Sequence, residues 1–108
     1  MMNLPKLISD LIAAQNNLDA VAYTACFSET AVVFDEGKTH TGRTAIQKWI
    51  EKSNKENQTV LRPVSYKEAE NGAVLKAEIS GTFPGSPAVL SFHMVYQEGL
   101  IKSLKING

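Results

Sequence analysis

The chain has 108 residues, 44% of them hydrophobic and 20% charged, with eleven Lys and Arg balancing eleven Asp and Glu. That is the composition of one globular domain over residues 1–108, far from the disordered class, and zero formal net charge gives no long-range pull on a phosphate backbone. A single cysteine, Cys26, removes the disulfide-scaffold class.

The elements divide into a helical first half and a strand-rich second half, the α+β pattern. Leu4, Leu7, Ile8, Leu11 and Ile12 form a helical stripe over residues 4–17. Asn3 is the expected cap, and Asn16-Asn17 ends the helix. A second helix is expected from Asp19 to about Phe27, with Asp19 at its N-terminus. Residues 31–35 read as a short strand, and Glu36-Gly37-Lys38 as a turn. Gly42 then opens a third helix to about Asn57, with Ile46, Trp49 and Ile50 inward and Lys48, Glu51, Lys52, Lys55 and Glu56 on the other side. Four strands follow at residues 59–70, 73–83, 88–97 and 100–106, punctuated by Asn71-Gly72, Pro84-Gly85-Ser86-Pro87 and Glu98-Gly99. Turns this short force an antiparallel meander. Alternation places Ala73, Leu75, Ala77 and Ile79 on one face, and Gly81 suits a bend where the sheet curls.

No run approaches the roughly 18 apolar residues of a membrane span. The start, Met1-Met2-Asn3-Leu4-Pro5-Lys6, lacks the pattern of a secretory signal. The expectation is a cytoplasmic chain, with neither a membrane nor a nucleic acid as partner. Cys26, His40 and His93 have no ligand spacing, so no metal site is expected. Gly37, Gly42, Gly72 and Gly81 are too scattered to form a phosphate-cradling loop, and no cofactor is expected.

Two stretches carry a family likeness. One runs from Phe27-Ser28-Glu29-Thr30-Ala31-Val32-Val33-Phe34-Asp35 through Thr41-Gly42-Arg43-Thr44-Ala45-Ile46 to Trp49-Ile50. The other is Gly81-Thr82-Phe83-Pro84-Gly85-Ser86-Pro87, with Leu90 to Tyr96 behind it and Gly99-Leu100-Ile101 opening the last strand. With the order of elements, they resemble the nuclear transport factor 2-like superfamily, and within it the SnoaL-like, ketosteroid isomerase-related group. The resemblance implies a cone-shaped curved antiparallel sheet packed on three N-terminal helices. It also implies a cavity inside the cone and homodimers paired through the outer sheet face. The superfamily spans isomerases, cyclases, dehydratases, epoxide hydrolases and noncatalytic members, so membership by itself selects no reaction.

By its place at the end of the first strand, Asp35 resembles the general base of ketosteroid isomerase. A carboxylate there moves a proton next to a carbonyl if its surroundings raise its pKa. The isomerase's two oxyanion donors fall at Leu11 and Phe92 here, and neither donates a hydrogen bond. The resemblance further implies that Tyr23, Phe27, His40, Trp49, Leu90, Phe92 and Met94 line the cavity. It turns Ser91, His93, Val95 and Gln97 outward. The leading reading is a protein that holds a small lipophilic molecule in an apolar pocket. The alternative is a cofactor-independent acid–base enzyme, an isomerase, cyclase or hydrolase, with Asp35 as base. A protein-interaction module comes third.

Overall fold

The computed structural model describes residues 3–108. Helix α1 covers Lys6–Asn16. It starts later than Asn3 would cap, because the residue before a proline is driven from helical geometry, which leaves Pro5 itself at the N-cap. Ile8, Leu11, Ala14 and Gln15 are its buried positions. Helix α2 is only Ala20–Thr24, capped by Asp19, whose side chain accepts from the Ala22 amide at 3.1 Å. It is shorter than expected because strand β1 already begins at Phe27 and runs to Asp35.

Glu36 and Gly37 both have positive φ and join β1 to β2 (Lys38–Thr41) as a two-residue hairpin. Helix α3, Arg43–Asn57, follows Gly42, whose φ of +86° requires glycine. Strands β3 (Val60–Ala69), β4 (Gly72–Ser80), β5 (Ala88–Gln97) and β6 (Leu100–Asn107) form the expected antiparallel meander.

The six strands form one sheet in the order β2-β1-β6-β5-β4-β3. Every pairing is antiparallel except β1 with β6, which is parallel, so the sheet is mixed rather than wholly antiparallel. Irregularities between Pro63 and Ser65, between Val95 and Tyr96, and between Phe27 and Val32 break the register. Such bulges bend strands and add twist, and here they curl the sheet around the helices. Pro63 is tolerated because β3 is an edge.

The core lies between the concave face and the helices. Leu75, Ala77 and Ile79 point into it, in one cluster with Ile8, Leu11, Ile46, Ile101 and Leu104, and Ala73 on the same face is also buried. The turn before β4 is Glu70-Asn71, so Gly72 belongs to the strand. A Cβ on Gly72 would lie 1.9 Å from the Met94 backbone oxygen. Gly72→Ala therefore has to push two paired strands apart. The expected cost is about 1–3 kcal/mol, the range for overpacking, read as a lower urea midpoint at unchanged slope. No helix among the described residues is long and apolar enough to cross a membrane.

Candidate functional site

At the open end of the curl, a cavity of about 620 Å³ lies between α3 and the concave face. Ile50 and Leu61, with Ile79, Leu90, Phe92 and Ile106, supply apolar wall. The expected apolar pocket is in fact mixed. Asp35, Glu36 and Lys38 come from the β1–β2 hairpin, Lys52 and Glu56 from α3, and Gln15 from α1.

Along β1, Val33 is sealed and Phe34 is exposed, so alternation turns Asp35 inward. Its carboxylate is half-buried and accepts a hydrogen bond from Trp49 Nε1 to Oδ2 at 3.3 Å. Burial, with the neighbouring Glu36 charge second, raises the Asp35 pKa. The Trp49 bond, the field of His40 and a backbone hydrogen bond at Glu36 offset only part of that rise. Asp35 is thus an acid whose proton affinity is increased beside an open space.

Trp49 organises this end. The His40 ring stacks on its indole at 5.6 Å between centroids, and Tyr23 tilts against it at 6.2 Å. Tyr23 is 3% exposed and lines the cavity, yet among the described residues its hydroxyl has no hydrogen-bond partner. Burial raises its pKa, helped by Cys26 and then Asp35, so the phenol keeps its proton. Asp35, Tyr23, His40, Trp49, Leu90 and Phe92 therefore share one cavity.

Two residues placed on the wall by resemblance lie elsewhere. Phe27 and Met94 are sealed in the core. Both sit toward the end of the sheet closed by the helices, where β1 begins and β5 ends, whereas the cavity lies where β1 ends and β5 begins. Leu11 is also core, and Phe92 reaches the cavity with a phenyl edge or face and no donor.

His93 is exposed on the outer face, its Nε2 3.2 Å from Asn107 Oδ1. Arg43 donates from Nε to the Phe27 carbonyl at 2.8 Å, and Arg62 pairs with Glu78 at 3.6 Å on the surface. Cys26 is buried in the core. Among the described residues no three His, Cys, Asp or Glu side chains come together as a metal site would need.

Sequence reasoning passed over Gln15. It is 5% exposed, lines the cavity, and donates from Nε2 to Asn54 Oδ1 at 3.2 Å and to the Thr59 hydroxyl. The signal was available, because Gln15 continues the stripe through Ile8 and Leu11 and is a polar residue on a buried face.

No family model matches the sequence, and no curated protein matches it. Solved structures do. A Sinorhizobium meliloti protein provisionally described as a polyketide cyclase is 33% identical, aligned over 96% of this chain and 95% of its own, with a TM-score of 0.92. A Catenulispora acidiphila protein with a ketosteroid isomerase-like fold, solved in complex with trimethylamine, is 18% identical over 98% of this chain and 87% of its own, with a TM-score of 0.87. A nuclear transport factor 2-like protein of unknown function from Cytophaga hutchinsonii is 18% identical over 99% and 93%, with a TM-score of 0.80. On its fold and on its identity to the first of these, the chain belongs to the nuclear transport factor 2-like superfamily, in the SnoaL-like group.

Proposed function

We propose that the chain holds a small carbonyl compound in the cavity and that Asp35 moves a proton on its α-carbon. The observation that carries this reading is a half-buried carboxylate of raised proton affinity facing about 620 Å³ of space. That volume suits one compact organic molecule, with the apolar side chains packing its body and the polar ones of the mixed wall fixing its orientation. The Asp35 carboxylate takes the α C–H proton and the electron pair moves onto the carbonyl oxygen as an enolate. The protonated acid then returns a proton to carbon. With no donor at Leu11 or Phe92, the Tyr23 hydroxyl, unpartnered among the described residues and beside Trp49 on the cavity wall, is the donor assigned to the enolate oxygen. The cyclase description of the 33% identical relative agrees with acid–base chemistry on carbonyls.

The test uses 1-tetralone, a bicyclic ketone, in D₂O. Deuterium entry at the α-carbon, followed by NMR, is expected with the wild-type protein and lost in Asp35→Asn. A second reading, binding without turnover, is favoured by the apolar residues at Leu11 and Phe92. Saturable binding of 1-tetralone with no exchange above buffer would establish it in place of the enzyme.

Two copies pair through the outer sheet face. Val89, Val95 and Phe34 are large apolar side chains exposed there, among charges of both signs such as Arg62, Glu78 and Lys105. A sheet face with apolar side chains spaced among charges of both signs can pair with a second copy of itself across a two-fold axis, and zero net charge does not oppose it. Sedimentation equilibrium is expected to give a dimer, and Val89→Lys with Val95→Lys a monomer. A monomeric wild type at micromolar concentration removes the proposal.

A further inference from the structure

The wall opposite Asp35 has a polar feature that proton transfer does not use. Gln15 lies on α1, Thr59 just before β3, and Asn54 in the last turn of α3. Gln15 is 5% exposed and Asn54 7%. The Gln15 side-chain nitrogen donates to Asn54 Oδ1, to the Thr59 hydroxyl, and at 3.4 Å to the Thr59 carbonyl. Its two hydrogens are fully committed. Among the described residues the other end of the amide, Oε1, accepts nothing, and it is not among the side-chain atoms closed off from all open space. Gln15 is one of the residues that line the cavity.

A nearly buried amide with one end unpaired carries a desolvation cost unless something in the cavity meets it. The cavity therefore has two poles. The acid pole is Asp35, where β1 ends, with Trp49 from the middle of α3 and Tyr23 from α2. The amide pole is Gln15, where α1 ends and β3 begins. Ile50, Ile79, Leu90 and Phe92 supply apolar wall of the same cavity. A ligand matching this pattern has an apolar body with a polar group at each end.

Resting on the proton-transfer reading, we infer that Gln15 is the specificity-determining residue of the cavity. It recognises a hydroxyl at the end of the substrate remote from the reacting carbonyl. A hydroxyl both donates and accepts, so it satisfies whichever end of the amide faces the ligand. The substrate class is a hydroxylated cyclic ketone, its ring against the apolar wall, its α-carbon at Asp35 and its hydroxyl at Gln15.

The experiment compares 6-hydroxy-1-tetralone with 1-tetralone, which lacks only the remote hydroxyl. Calorimetry measures binding and NMR measures α-proton exchange in D₂O. The wild type is expected to bind the hydroxylated ketone about fivefold more tightly, the usual net effect of one hydrogen bond. In Gln15→Leu the ratio of the two affinities is expected to fall to about one. A purely structural Gln15 would weaken both ketones together and leave the ratio intact, which overturns the inference. Equal affinities in the wild type overturn it without any variant. If exchange of 1-tetralone depends on Asp35 while the hydroxyl makes no difference, the proton-transfer reading stands and the Gln15 assignment fails. If neither ketone binds, both fail.

Discussion

The Asp35→Asn protein is expected to exchange the α-protons of 1-tetralone about 10²–10⁴-fold more slowly than the wild type, the loss that follows removal of a general base. The substitution is nearly isosteric and keeps an oxygen for Trp49 Nε1, so the ketone should still bind. An exchange rate within a few-fold of wild type would remove Asp35 from the mechanism. The pH dependence is a second readout. Only the carboxylate accepts the proton, so the wild-type rate climbs with pH and levels off above the Asp35 pKa. Because burial raises that pKa, the midpoint lies above the ordinary aspartate value of about 3.9.

The same shift has a consequence for stability, and its sign is fixed by linkage. A carboxyl whose pKa is higher in the folded state binds its proton more tightly there. Its favourable contribution is complete below the unfolded pKa and is lost as pH rises through the folded pKa. At neutral pH the ionised Asp35 therefore works against the fold. Asp35→Asn should melt higher than the wild type at pH 7, with the difference shrinking toward pH 3. A protein that keeps a strained acid for its chemistry shows this opposition of activity and stability.

The long, strongly patterned parts of the chain were legible from sequence. The alternation through Ala73, Leu75, Ala77 and Ile79 and the turn signals at Glu98-Gly99 and Asn71-Gly72, the latter one residue off the actual Glu70-Asn71 turn, locate the meander. Strand β2 was not legible, because Lys38-Thr39-His40-Thr41 has no apolar alternation and is an edge held by backbone pairing with β1. The start of β1 was hidden for a different reason. Phe27 follows a helical segment without a breaker, and what makes it strand is its pairing with Ile101, seventy-odd positions away, where the Ile101 amide donates to the Cys26 carbonyl at 2.9 Å. Turn logic describes neighbours in sequence and is silent on such a parallel pair. Gln15 escaped notice because Asn16-Asn17 beside it read as the end of a helix, whereas the amide is tied to Asn54 and Thr59 across the fold.

The misplacement of Phe27 makes a prediction that separates core from cavity. The Phe27 side chain is fully buried at the closed end of the sheet, its ring 5.5 Å from Tyr23 and tilted by 39°. Its backbone carbonyl receives Arg43 Nε, so the residue also links the entry of β1 to the first turn of α3. Phe27→Ala removes the ring from a site whose neighbours are held by strand pairing and by two helices, so little collapse is available to fill the void. The expected cost is about 3–5 kcal/mol, set against a total stability of about 5–15 kcal/mol. The urea midpoint should drop steeply at unchanged slope. Phe92→Ala behaves differently: the ring is 5% exposed and packs in the core, but it also borders the cavity, so its loss is shared between packed protein and the wall a ligand would touch. It should lose more affinity for 1-tetralone and less stability than Phe27→Ala. The reverse order would put Phe27 on the ligand's wall after all, and would move the cavity toward the closed end of the fold.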